Sequence, residues 1–209
     1  MFHGRPAAIF IADALALDFL NSVATPIDVE IDWIDDGDGF LKWLEQAQLV
    51  PLDVLKALRA QAGPEEFDHV AAEARSLREW FRKFVRSQKG RPLVAKDLQK
   101  LDSLNRLLER DEEFSRIEAR HGRAGANALE LRMIRRWRSP ESLLLPIGKA
   151  LAKFVCEEDF SNVKACEGPA CTLMFADHTR GRVRRWCSMA ICGNRAKQAA
   201  HRQRLKPRQ

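Results

Sequence analysis

Four cysteines near the C-terminal end constrain this chain more than any other feature. They are spaced Cys166-x4-Cys171-x15-Cys187-x4-Cys192, two pairs of equal internal spacing separated by a short insert. A zinc ion takes four soft ligands in a tetrahedron, and a tight turn that brings two thiolates together supplies half of that shell. Two such turns complete it. The alternative is four free or buried thiols. With no apolar stretch of a secretory signal at Met1–Pro6, crowded cysteines read as a metal site in a reducing compartment rather than a disulfide framework.

The local sequence gives these turns a frame. Glu167-Gly168-Pro169-Ala170, inside the first pair, is turn chemistry. Leu173-Met174-Phe175 and Val183-Arg184-Arg185-Trp186 flank Thr179-Arg180-Gly181-Arg182 and read as a hairpin that returns the chain to the second pair. Asn194 to about Leu205 is composed of helix formers. Knuckle, hairpin, then ligand-bearing turn and helix is the order of a treble-clef-like finger around one structural Zn2+, with Cys166, Cys171, Cys187 and Cys192 as ligands. A segment this short has little core of its own, and structural zinc contributes about 10–16 kcal/mol of binding free energy. Four thiolates leave no open position for water, so the metal is expected to be structural. His178 and His201 read as ordinary exposed histidines, Trp186 as packing around the zinc, and Cys156 as a core residue of a helix.

Charge divides the chain as sharply as the cysteines do. Residues 164–209 hold eleven Lys/Arg against two acids, a formal +9, while the remainder has 24 basic and 27 acidic residues, or −3. Such a block is the footprint of a polyanion-binding module joined to a mildly acidic domain. If 194–205 is helical, Arg195 and Arg202 share a face flanked by Lys197 and Arg204. That helix can enter a major groove, with Arg180, Arg182 and Arg184 gripping phosphates. Asn194 either reads a base or caps the helix. A solvated tail and a surface for an acidic protein are the competing explanations, and RNA stays open.

Upstream, the pattern is mainly helical, giving an α+β fold with a small β-sheet. Ala7–Ile11 reads as a short buried strand. Helices are expected from Leu15 to about Val23, ended by Thr25-Pro26, and over Phe40–Leu49, Leu52–Ala60, Pro64–Gln88 and 95–114, the last with Leu98, Leu101, Leu104, Leu108 and Phe114 on its apolar face. Asp28–Gly39 reads as a loop holding Trp33. After a turn at Gly122–Gly125, residues 128–135 alternate as a strand expected to pair with the first. Ser139-Pro140-Glu141 opens a further helix to about Cys156, with Ser139 as cap. The boundary then falls near 157–163, dividing the chain into 1–160 and 161–209.

Arg184-Arg185-Trp186-Cys187-Ser188-Met189-Ala190-Ile191-Cys192-Gly193-Asn194-Arg195-Ala196-Lys197 resembles the CGNR zinc finger, named for Cys192 to Arg195. Residues 164–206 fit it, with the Phe175/Asp177 turn in place. Leu17-Asp18-Phe19-Leu20-Asn21-Ser22 and Phe40-Leu41-Lys42-Trp43-Leu44 resemble the ABATE domain that usually precedes this finger. Gln48 stands where that family tends to show Gly, and His201 where an aromatic is common. The resemblance implies a stress-induced transcription regulator, its N-terminal part sensing an unknown small-molecule ligand and its finger binding DNA. On these residues, the DNA role falls on Arg184, Arg185, Asn194, Arg195 and Lys197.

Asp18, Asn21 and Trp33 are the N-terminal residues that could face a ligand pocket, although capping and packing explain them too. His3, His69 and His121 show no triad spacing, and neither a phosphate loop nor H-E-x-x-H occurs, so no enzymatic activity is expected. No run of about 18 apolar residues is present, and a cytoplasmic location without membrane partners is expected. A protein-interaction module with a purely structural finger is the alternative to a DNA-binding regulator, and a homodimer is compatible with either.

Overall fold

A computed structural model of the chain describes residues 6–26, 29–120 and 128–205, without the side chains of residues 200 and 203–205. The expectations at His3, His121, Gly122–Gly125 and the side chain of Arg204 lie outside the described residues. Seven α-helices and three two-stranded antiparallel sheets are described, an α+β fold dominated by helix.

The segment Ala7–Ile11, expected as a strand, pairs with none. Its backbone is satisfied instead by a side chain: Asp18 Oδ1 accepts from the N–H groups of Ile11 and Ala12, each at 3.0 Å. Asp18 lies in α1 (Leu15–Leu20), a short helix buried on all sides. The chain then forms a minimal hairpin of β1 (Val23–Ala24), at the expected end of the first helix, and β2 (Ile31–Asp32), within the stretch expected as loop. α2 (Gly37–Gln46) starts earlier than its apolar pattern because the Asp36 carboxylate accepts from Gly39 N–H at 2.6 Å and caps it. After α2, Gln48 has φ +54°. That left-handed conformation favours glycine, so Gln48 holds it at a steric cost.

α3 (Leu52–Gln61) follows, then α4 (Pro64–Gln88), the longest helix. Pro64 occupies its first turn, Glu66 Oε1 accepts from Gly63 N–H at 2.9 Å, and Gly90 beyond its end has φ +86°. α2 approaches α4 at Gly37, where a Cβ would lie 2.6 Å from Phe67 Cβ, closer than packed atoms come.

The helix expected over 95–114 is broken into a 3-10 turn at Ala95–Leu101 and α5 (Asp102–Leu108). Buried Asp97 causes the tight turn, gathering Val94 N–H, Arg91 and Lys100 Nζ around its carboxylate, and Leu98 is left exposed. Phe114 belongs to β3 (Glu113–Ala119). β3 pairs with β4 (Leu129–Arg135) in a separate hairpin, so β4 has its partner in β3 and not in the N-terminal segment. Ser139 caps nothing with its side chain, and its hydroxyl turns to Glu141. A 3-10 turn at Pro140–Leu143 leads into α6 (Leu144–Glu157), on which Cys156 is exposed rather than packed in the core.

The core is continuous across residue 160. Phe81 and Phe84 of α4, Phe154 of α6 and Phe160 form an aromatic cluster, Phe154 and Phe160 lying 5.2 Å apart by ring centroids. From there it runs into Leu173, Met174, Phe175 and Ala176, all buried. Burying such side chains is worth about 1.5–3 kcal/mol each, so the C-terminal segment is anchored by packing as well as by its cysteines.

Candidate metal centre and basic surface

β5 (Val163–Ala165) and β6 (Met174–Ala176) pair antiparallel, Val163 opposite Ala176 and Ala165 opposite Met174. Their connection is the cysteine knuckle. The hairpin of the finger therefore encloses the first cysteine pair, in place of the expected pairing between Leu173–Phe175 and Val183–Trp186. Within the knuckle Cys171 N–H donates to Gly168 O at 3.1 Å, and Ala170 takes φ +60°. Gly168 sits against the sulfurs: a Cβ there would lie 2.8 Å from Cys192 Sγ and 3.3 Å from Cys171 Cβ.

The second pair is carried by a helical entry. Ser188 Oγ accepts from Ala190 and Ile191 N–H, capping a π-helical turn at Met189–Gly193 that continues into α7 (Asn194–Leu205). The cap is thus Ser188, and Asn194 is an exposed residue of the first α-helical turn. Cys192 lies in the π turn and is fully buried.

All four Sγ atoms lie within 4.8 Å of one another, with Cys171–Cys187 at 3.9 Å and Cys187–Cys192 at 3.6 Å. A tetrahedron with Zn–S of about 2.3 Å has edges of about 3.8 Å. The donor set and its spacing fit a four-coordinate thiophilic metal. Backbone donors support the charge: Cys166 Sγ accepts from Cys187 N–H at 3.2 Å and Gly168 N–H at 3.4 Å. Arg195 Nη2 lies 3.6 Å from Cys192 Sγ. Hydrogen bonding from Cys187 draws the Cys171 thiol down to about 5, whereas its bond to Cys171 and burial push Cys187 far up, and burial raises Cys192 to about 11. Without a cation the cluster resists holding four negative sulfurs. A bound divalent ion reverses that preference, because a coordinating thiol is deprotonated outright.

The basic residues divide into two kinds. Arg180, Arg182, Arg185, Lys197 and Arg202 are exposed, Arg185 meeting Glu167 at 2.6 Å and Arg182 lying 3.7 Å from Asp159. Arg184 and Arg195 are turned inward. The Arg184 guanidinium donates to Ile11 O at 2.9 Å, to Trp186 O at 3.0 Å and to Cys187 O, pairs with Asp13, and covers the Phe175 ring at 4.2 Å. A side chain so engaged ties the N-terminal segment to the finger and cannot serve as the expected phosphate grip. Arg195 Nη2 also donates to Pro26 O at 3.0 Å. Trp186 is half-buried, with Arg185 over its ring at 5.0 Å.

The three residues expected to face a ligand are likewise structural. Asp18 holds the backbone of residues 11 and 12, and its burial raises its carboxyl to about 6. Asn21 pairs with Met174 as a strand would, donating from Nδ2 to Met174 O at 2.8 Å and accepting Met174 N–H at 2.9 Å. Trp33 Nε1 donates to Pro6 O at 2.9 Å.

Asp177, read from sequence only as part of a turn, and Arg78 and Arg82, not singled out there, are buried charged residues that hold the structure together. Asp177 is fully buried; burial would push its carboxyl up, yet Lys164 at 2.7 Å, the Thr179 hydroxyl and N–H, and Arg184 N–H hold it below the usual range. Arg78 and Arg82 are buried on α4, Arg78 bidentate to Asp32 with both oxygens at 2.8 Å and Arg82 reaching Leu20 O and Val23 O. Their signal was present: both fall in the register of the apolar stripe Ala74, Phe81 and Val85, where an exposed arginine does not belong. They border a polar cleft of about 380 Å3 that also takes in Glu30, Glu79, Arg86 and Thr172.

A family model for the CGNR zinc finger matches residues 162–205, which contain the whole sulfur cluster and α7. A second model, ABATE, described as "Putative stress-induced transcription regulator", matches residues 13–158. No curated protein matches the chain. Among the described residues no helix is long and apolar enough to cross a membrane. With most of its length under one model and its sulfur cluster under the other, the chain belongs to the ABATE family and carries a CGNR zinc finger at its C-terminal end.

Proposed function

We propose that this protein is a non-enzymatic, DNA-binding transcription regulator acting in a stress response, whose finger is built on Zn2+ and whose N-terminal part senses a small ligand. The observation that carries the reading is the exposed set Arg180, Arg182, Lys197 and Arg202, held beside a cluster of four sulfurs in a +9 segment. Zinc, bound by Cys166, Cys171, Cys187 and Cys192, supplies a rigid cross-link between knuckle and helix. Asn194 and Lys197 on the first turn of α7 address base edges, and the exposed arginines contact phosphate.

Coupling between the two parts follows from how they are joined. Asn21–Met174, Arg184–Ile11, Arg195–Pro26 and the bond from Ala176 N–H to Ala12 O at 2.9 Å link them directly. The cleft lined by Arg78, Arg82, Arg86 and Thr172, together with Glu30, Asp32 and Glu79, lies at this junction, where a small polar ligand would touch both parts. A ligand shifts DNA affinity only by its difference in affinity between two states.

Selection of bound sequences from random DNA, followed by titration over a range of salt, tests the reading. Log affinity should fall with log salt by about 0.9 per phosphate neutralised, and replacing Lys197 and Arg202 by Ala should lower that slope by roughly two contacts while zinc is retained. A flat salt dependence, or no binding, favours a protein-interaction module instead. The groove of about 700 Å3 lined by Phe10, Ile11, Val183, Trp186 and Met189 would then be its surface.

A further inference from the structure

The β3–β4 hairpin is two-sided in an unusual way. Ser115, Ile117 and Ala119 of β3 stand opposite Met133, Leu131 and Leu129 of β4, and this apolar side faces solvent: Ile117 is 68% exposed, Leu129 64%, Leu131 71% and Met133 59%. The other side places like charges directly across the strands, Arg116 opposite Arg132 and Glu118 opposite Glu130. Like charges directly opposite destabilise a strand pair, an effect offset here by Glu118, which pairs with both Arg116 and Arg132, and by Arg120, which lies 3.6 Å from Glu130. Among the described residues the sheet has two strands, and neither of its outer edges is paired. An exposed apolar edge strand is a template for another strand.

The backbone fixes which groups that edge offers. Arg120 N–H donates to Ala128 O and Arg136 N–H to Glu112 O. In an antiparallel ladder alternate residues turn inward, so 128, 130, 132, 134 and 136 bond to β3. Leu129, Leu131 and Met133 therefore present their N–H and C=O groups outward.

We infer that β4 pairs antiparallel with β4 of a second copy of this chain, centred on Leu131. In that register Leu131 meets Leu131 of the second copy, Leu129 meets Met133, and these outward-facing positions exchange six backbone hydrogen bonds. Glu130 then lies opposite Arg132, twice, by symmetry. Shifting the register by one step either way that keeps outward groups facing each other puts Glu130 against Glu130 or Arg132 against Arg132 on the two-fold axis. Only the Leu131-centred register sets opposite charges against each other. Each charged row across the four-stranded sheet then runs from two arginines to two glutamates, with the opposite charges meeting at the central β4–β4 seam, and six large apolar side chains from the two β4 strands line up along its centre. Isologous pairing of this kind closes at two copies. β3 has the same sign alternation, but its outward positions are Ser115, Ile117 and Ala119, and its start is tied to α6 by Lys149–Glu113.

The test is sedimentation equilibrium of the purified full chain across the micromolar range, with circular dichroism to follow folding. The wild type should be a dimer. Arg132→Glu should weaken dimerisation by about tenfold to a hundredfold, since both symmetric pairs turn from attraction to repulsion. Glu130→Arg combined with Arg132→Glu should restore it, because the pair is merely reversed. Leu131→Lys, which places two ammonium groups at the axis, should give a folded monomer. A monomeric wild type overturns the inference, as does a dimer indifferent to Arg132→Glu, which would signify pairing through β3 or through the apolar face. Failure of the double exchange to restore the dimer, with helical content intact, overturns the register. DNA binding plays no part in these readouts.

Discussion

Replacing Arg184 by Met should destabilise the whole protein while leaving the metal in place. Methionine keeps the apolar stem but removes a guanidinium that serves three carbonyls, of Ile11, Trp186 and Cys187, and covers Phe175. Each carbonyl left without its charged donor costs about 1–3 kcal/mol where burial denies it water. The ring contact adds about 0.5–2 kcal/mol. Asp13 is half exposed and its ion pair adds about 0–1 kcal/mol. Arg184 is itself only partly buried and water replaces some of these bonds, so a net loss of about 3 kcal/mol is expected. For a chain of this length that is a fall in Tm of about 6–12 °C. Urea unfolding followed by far-ultraviolet circular dichroism measures the loss, and metal analysis of the folded variant should show no change. A loss under about 0.5 kcal/mol, the range of an ordinary surface substitution, would refute the assignment of Arg184 as the tie between the two parts.

Asp18 predicts a pH effect. Its carboxyl is raised to about 6 by burial, so the folded state binds the proton more tightly than the unfolded one, and this group's contribution to stability falls as pH rises from about 4 to 6. Asp18→Asn keeps an oxygen acceptor for Ile11 and Ala12 and removes the charge; relative to wild type, it should gain about 2–3 kcal/mol between pH 4 and pH 7. A constant stability difference across that range would contradict the assignment. At the knuckle, Gly168→Ala forces a methyl group to within 2.8 Å of Cys192 Sγ. Competition with a chromogenic chelator should show metal affinity lowered by about tenfold to a hundredfold, and unchanged affinity would mean that the knuckle is not held this tightly.

How much of this was legible in the sequence follows from the range of each interaction. The sulfur cluster was legible because its ligands come in two local turns, and α4 and α7 because Pro64, Gly90 and uninterrupted helix formers mark their ends. Bonds between a side chain and a distant backbone leave no such trace. Arg184 looked like a phosphate contact because its charge is visible in sequence and its carbonyl partners are not. Asp18 and Asn21 looked like pocket residues for the same reason, since their partners, Ile11 and Met174, follow from how the segments come together. The break after Leu101 turns on buried Asp97, a polar residue whose helical periodicity says nothing of the tight turn it organises. The finger hairpin was misplaced because Val183–Trp186 carries strand-like residues, while β5, Val163–Ala165, is too short to stand out from its helical surroundings.

The metal content of the purified chain tests the four-sulfur centre most directly. One zinc per chain is expected, lost on replacing any of Cys166, Cys171, Cys187 or Cys192 by Ser and accompanied by loss of α7 from the circular dichroism spectrum, while Cys156→Ser retains the full ion. A chain prepared without metal that keeps an undisturbed C-terminal fold, or a zinc ion that survives the loss of two of these cysteines, would contradict the account.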